Sequence, residues 1–292
     1  MTFAAIAATV ALSPLRAQQV PGRDLFQFPL GTLAEAPALA TAAGGGFWNP
    51  ATIALRAENR LLLSVSALDS PNEQGVSAQV GTLAHRVRSG ITAGLSVAQS
   101  AVSGILRTDT DPHSIGDVVP YRSLILSGIL AMDRGPATLG LALRRRSATV
   151  DDAGGTVTSV DVGGTLDRPG GLPFRAGLSS FLMSPRHRIE RASVLGAVEG
   201  YLPVAGSDVR AGVSYQADQG SGDERFVYAS SRTSIFDIRG GVARQSAFGS
   251  SSTRLRLGLG VRYADYLVGV AREEGVSGLQ PSYQFMLTRA FK

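Results

Sequence analysis

Side chains able to do acid–base, nucleophilic or metal chemistry are few and dispersed. His85, His113 and His187 are the only three imidazoles in the 292 residues. A hydrolytic triad needs a hydroxyl, an imidazole and a carboxylate converging in one place. Only His113 has such neighbours, in Thr108-Asp109-Thr110-Asp111-Pro112-His113-Ser114. A solvated loop accounts for that composition equally well, and all three histidines are expected at turns or loops. There is no Gly-x-Ser-x-Gly elbow, His-Glu-x-x-His helix or phosphate-binding loop. There is also no cysteine, which removes disulfides and thiolate metal sites. The Asp-rich stretches lack the spacing of a calcium loop. The expectation is a protein with no enzymatic activity, no metal and no cofactor.

Arginine is the more informative residue. The net charge is +5, and Lys292 is the only lysine. The basic residues occur singly or in short groups, with no basic helix and no aromatic platform, so no nucleic-acid partner is expected. Arg144, Arg210, Arg239, Arg254, Arg256 and Arg262 each stand at a position that alternates with apolar residues. A guanidinium is a planar fork that grips carboxylates with two bonds. Two readings follow: a structural ion-pair network, with Asp237 and Glu199 among the partners, or a site for the carboxylate of an amphipathic ligand. The elements that carry these residues must decide between them.

Those elements read as β-strands. Leu255, Leu257, Leu259, Val261 and Tyr263 fall on one face of residues 253–263, and Arg254, Arg256, Gly258, Gly260 and Arg262 on the other. Side chains change face at every residue of a strand, so this alternation specifies one. The same pattern recurs with Val209, Ala211, Val213 and Tyr215, with Ile91, Ala93, Leu95 and Val97, and with Leu139, Leu141 and Leu143. One face is aliphatic and the other small or charged, which is the lipid-out, lumen-in scheme of a membrane barrel. A strand of a soluble sandwich shows the same alternation, but here it runs along the whole chain.

The runs lie near 60–68, 75–84, 90–105, 121–133, 137–149, 156–166 and 174–184. They continue near 192–202, 208–217, 224–231, 234–245, 253–263, 265–272 and 282–291. The fold class is therefore all-β: a transmembrane antiparallel barrel of about 14 strands, occupying residues 59–292. All 14 prolines fall outside these runs, as hydrogen bonding on both strand edges requires. Connections alternate roughly between short and long, as periplasmic turns and outer loops do. Tyr283, Phe285, Leu287 and Phe291 close the chain on an aromatic residue, like the C-terminal strand of assembled outer-membrane barrels, although Arg289 and Lys292 depart from that pattern.

Upstream, Phe3 to Leu12 is an apolar core followed by Ser13-Pro14 and then Ala17, the profile of a secretory signal. Residues 1–17 are expected to be removed after Ala17, although no basic residue precedes the core. Residues 18–58 do not alternate. Within them, 32–43 is expected to form a short Ala-rich helix, with Thr32 and Glu35 as a capping box and Gly44-Gly45-Gly46 as its stop. A non-alternating segment of this kind must lie outside the membrane or inside the barrel.

Phe47, Trp48, Asn49, Pro50 and Ala51 follow. Gly-Phe-Trp-Asn-Pro-Ala resembles the FadL family of outer-membrane transporters for hydrophobic compounds, whose fourteen-stranded barrels hold an N-terminal hatch with an Asn-Pro-Ala motif. It is also similar to the related PorV and PorQ group, which serves a protein-secretion system. The resemblance implies a hatch over 18–58 inside the lumen and passive uptake of long-chain fatty acids or hydrocarbons across the outer membrane. The alternative it implies is a structural or partner-binding barrel with a secretion-system partner. Membrane lipid and a hydrophobic small-molecule ligand are the expected partners. The long outer loops that form a capture groove in FadL transporters are missing from this chain.

Overall fold

The computed structural model describes residues 20–26, 30–32, 34–41, 44–55, 58–70, 75–107, 118–184, 192–204, 206–218, 222–247, 250–275 and 280–292. The strands are β1 (Leu61–Asp69), β2 (Val76–Arg88), β3 (Ile91–Val102), β4 (Tyr121–Arg134), β5 (Ala137–Val150), β6 (Ala153–Asp167) and β7 (Phe174–Phe181). They continue as β8 (Ser193–Val204), β9 (Ser207–Asp218), β10 (Gly222–Arg232), β11 (Phe236–Ala247), β12 (Ser250–Tyr263), β13 (Tyr266–Glu273) and β14 (Ser282–Phe291). Each pairs antiparallel with its chain neighbours, and β1 pairs with β14 through Leu61↔Phe291 to Asp69↔Tyr283, closing the barrel. Closure removes sheet edges, the condition for strands to cross lipid.

The alternation sorts the two surfaces. Leu257, Leu259 and Val261 are exposed on the outside, whereas Arg256 is buried between them and the lumen. Leu139, Leu141 and Leu143 face out while Arg144 and Arg146 are buried inside. The outer surface is thus an apolar band, and inside it lie aliphatic, aromatic, hydroxyl and charged side chains. Gly135-Pro136 and Ala264-Asp265 are two-residue hairpin turns at one end of the barrel. Asp151-Asp152 is a two-residue turn at the other end, where β3 and β7 also end.

Four expectations change. Residues 32–43 form no α-helix over their described part. Pro37 begins a 3-10 turn, Pro37–Leu39, and Ala34 takes a positive φ of 63°. Proline lacks the amide a helix interior needs, and wall side chains satisfy this backbone instead. Pro203 lies within β8. It faces Asp208 on one side but lies past the last β7–β8 pair, Phe174↔Gly200, so its missing amide breaks no ladder. His85 lies on β2, exposed and opposite Leu61, and not in a turn; His113 and His187 lie outside the described residues, as does the expected signal segment. Several outward positions carry arginine, including Arg145, Arg225 and Arg244.

The seam between β6 and β7 is irregular. The β6–β7 ladder runs only from Gly163↔Ser179 to Asp167↔Arg175. Beyond it the Ser180 hydroxyl replaces the backbone, accepting from Val162 N at 3.0 Å. Leu182 takes a φ of 57°, and pairing resumes where Val160 N donates to Met183 O at 2.9 Å. This is a bulge, with extra residues on one strand bending it and re-aiming its side chains. Phe181 and Leu182 turn inward there and are buried.

Candidate functional site

The lumen is filled by the described part of residues 20–55, the hatch. It has no regular structure beyond short 3-10 turns, so its carbonyls need donors from elsewhere. Wall arginines supply them. Arg146 donates to Val20 O at 3.0 Å, Arg175 to Leu39 O at 3.0 Å and Arg239 to Thr32 O at 3.3 Å. Arg144 donates to Phe47 O at 2.5 Å and Gly46 O at 3.4 Å. Arg144 and Arg239 stand out in the sequence alongside the other alternating arginines. Arg146 and Arg175 do so only through their inward parity on β5 and β7.

Arg144 is the centre of this attachment. Its Nε pairs with Asp161, and both side chains are 0% exposed. Its Nη1 donates to Ser127 at 3.1 Å, and its guanidinium lies 5.5 Å from the Phe47 ring centroid and 5.3 Å from that of Phe181. Asp161 also accepts from Met183 N at 3.0 Å, so one carboxylate holds both the arginine and the β7 bulge. A buried ion pair compensates its desolvation only when its remaining donors and acceptors are satisfied, as they are here.

The motif Asn49-Pro50-Ala51 sits against β5 and β6. Asn49 accepts from Ala51 N at 3.0 Å, capping the turn Pro50–Ile53, and donates to Ala38 O at 2.7 Å and Gly164 O at 3.3 Å. It is fully buried. Gly140 and Gly163, paired across β5 and β6, leave the slot it needs. A Cβ on Gly140 would lie 2.2 Å from Ala51 N, and one on Gly163 2.1 Å from Asn49 Oδ1. Sequence reasoning did not single out these glycines; their only signal is a glycine at an inward position on each of two adjacent strands.

Phe47 and Trp48 anchor an aromatic cluster. The Trp48 ring lies 4.6 Å from Phe181, and Phe47 lies 5.4 Å from Phe181 and 5.9 Å from Phe26. Trp48 Nε1 donates to Leu30 O at 2.7 Å, so the indole is buried without an orphan donor. Leu39, Leu182, Leu195 and Phe226 extend the same apolar cluster across the lumen.

The other arginines singled out in the sequence are paired with carboxylates. Arg256 grips Glu224 with two bonds of 2.7 Å and also pairs with Glu273, and Arg254 donates to Glu273 at 2.6 Å and Glu224 at 3.3 Å. Two cations and two anions thus form a neutral quartet. Arg210 pairs with Glu199 at 2.9 Å and with Asp208. Arg239, Arg232 and Arg262 share Asp237 at 2.9, 3.1 and 3.2 Å, and Arg239 also takes Glu35 of the hatch at 2.9 Å. Arg232, Arg262 and Asp265 border a cavity of about 550 Å³ between the hatch and the end of the barrel that carries Gly135-Pro136 and Ala264-Asp265. All six arginines singled out in the sequence therefore have carboxylate partners from this chain.

A closed fourteen-strand barrel with an apolar exterior and a lumen filled by its own N-terminal segment is a hatch-bearing transmembrane barrel. The crystal structure of a Pseudomonas aeruginosa FadL homologue shares this fold, with a TM-score of 0.58 and 11% identity over 90% of this chain and 98% of that one. The CymD monoaromatic hydrocarbon channel shares it with a TM-score of 0.63 and 11% identity over 90% of this chain and 97% of that one. No protein-family model and no curated protein matches the sequence. The fold is that of the FadL-type barrels.

Proposed function

We propose that this protein is an outer-membrane channel for passive transport of hydrophobic small molecules, exported after removal of residues 1–17, with residues 18–58 as its hatch and 59–292 as its barrel. The observation that carries this reading is the apolar content of the lumen. Phe26, Phe47, Trp48, Phe181, Leu182 and Phe226 are buried where a channel for hydrophilic solutes needs a wetted, polar bore. The FadL homologue and the monoaromatic hydrocarbon channel that share the fold favour the same class of solute. The β6–β7 bulge supports a route as well, because Phe181 and Leu182 stand on its inner side and its outer side is apolar.

Because the six lumenal arginines are already paired, the ligand is recognised by apolar and aromatic contact and not through its carboxylate. No catalytic role is assigned to any residue. The test is uptake into proteoliposomes of a radiolabelled monoaromatic hydrocarbon and of a small sugar. Protein-dependent hydrocarbon uptake with sugar excluded supports the proposal. Sugar passage as fast as through an open porin, with no hydrocarbon preference, overturns it.

A further inference from the structure

We propose that the outward pair Arg225 and Arg244 forms a binding site for the phosphate of an acylated lipid in the outward-facing leaflet. The inference rests on the membrane-barrel reading above and adds a specific lipid partner to it.

Arg225 on β10 and Arg244 on β11 are direct cross-strand partners on the outer face. Like charges directly opposite one another destabilise a sheet unless an anion sits between them. Asp223 supplies one counter-charge, at 3.3 Å from Arg225 Nε, but the Arg225 side chain remains 73% exposed. Arg244 is exposed and has no ion pair among the described residues. Its other neighbour across the strands is Thr253, and that of Arg225 is Tyr215. Two guanidiniums thus present free donors over one short stretch of wall, and two such forks suit phosphate oxygens better than they suit water.

Depth selects the occupant. The next outward residues towards the barrel middle are Val227 and Val242, themselves partners, with Val213 beside them; all three are exposed. The arginine pair therefore stands at the edge of the apolar band, where a lipid seated with its acyl chains on Val213, Val227 and Val242 places its headgroup. A soluble anion would gain nothing from those valines. Arg145 on β5 is a single outward arginine, one outward step beyond Leu143, with Leu126 and Thr158 as its cross-strand neighbours. These arginines lie at the end opposite Gly135-Pro136 and Ala264-Asp265, the end from which the longest connection, β3 to β4, departs, and we assign that end to the outward leaflet.

The experiment uses the mature protein refolded into phosphatidylcholine vesicles containing bis-phosphorylated lipid A or its dephosphorylated form, extracted in mild detergent and weighed by native mass spectrometry. The wild type should retain lipid A at least about tenfold better than the dephosphorylated form. Arg225→Gln/Arg244→Gln should lose that preference, while Arg134→Gln at the opposite end should keep it. Equal retention of the two lipids by the wild type overturns the proposal, as does undiminished preference in the double variant or full competition by inorganic phosphate. The lipid comparison on wild type decides the matter even if the double variant does not fold. Heat-modifiable migration in phosphatidylcholine alone reports barrel insertion separately, so failure of the membrane reading is distinguishable from failure of the lipid site.

Discussion

Asn49 Oδ1 occupies the space that a side chain on Gly163 would need: an added Cβ there would lie 2.1 Å from it. The hatch motif and the barrel wall are therefore complementary surfaces, one of amide and proline, the other of backbone stripped of side chains. Gly140, the cross-strand partner of Gly163, stands in the same relation to Ala51.

Gly163→Ala should therefore unseat the hatch without unmaking the barrel. Backbone and a buried amide must move, an overpacking cost of about 1–3 kcal/mol. Gly128→Ala, with nothing within 4 Å of the added Cβ, is the control. Limited proteolysis of residues 20–55 in the folded protein should accelerate for the first variant alone; equal protection would show that the slot is not needed.

Asn49→Ala removes the cap on Ala51 N and leaves the carbonyls of Ala38 and Gly164 without this donor. With the site buried, the loss should be about 1–3 kcal/mol of hatch stability. Hydrogen exchange at Ala51 and Thr52 is the readout, with faster exchange expected there and unchanged exchange in the strands.

Leu257 and Arg256 are neighbours that face opposite solvents. Leu257→Arg puts a cation on the lipid face and should cost about 2–4 kcal/mol near mid-bilayer. Arg256→Leu leaves Glu224 and Glu273 with Arg254 as their remaining cation and should cost a comparable or larger amount, about 3–5 kcal/mol. Adding Glu224→Gln should recover part of the second loss and none of the first. Denaturant titrations in lipid vesicles measure both, and rescue of Leu257→Arg by Glu224→Gln would sink the facing assignment.

Deleting residues 20–45 removes Trp48's acceptor Leu30, the Glu35 contact to Arg239 and the Phe26, Leu30 and Leu39 part of the apolar cluster. The fourteen-strand ladder does not use these residues, so the barrel should still fold. Planar-bilayer recordings should show a closed intact protein and a conducting deletion. Two equally closed or two equally open proteins would remove the plug role.

What the sequence determined by itself is local. Side-chain direction in a strand reverses at each residue, so Leu257 facing out and Arg256 facing in were legible from alternation, as were the number of strands and most of their limits. Asn49-Pro50-Ala51 was legible as a resemblance. The helix expected over 32–43 failed because alanine propensity and a capping box are also local signals; Pro37 and a lumen rich in arginine donors settle that backbone differently. Tertiary structure alone decided which carboxylate meets which guanidinium, since Arg144 finds Asp161 and Arg256 finds Glu224 through strand register. It also decided that Gly140 and Gly163 stand side by side beneath Asn49, because a glycine announces the absence of a side chain but not what will fill the space.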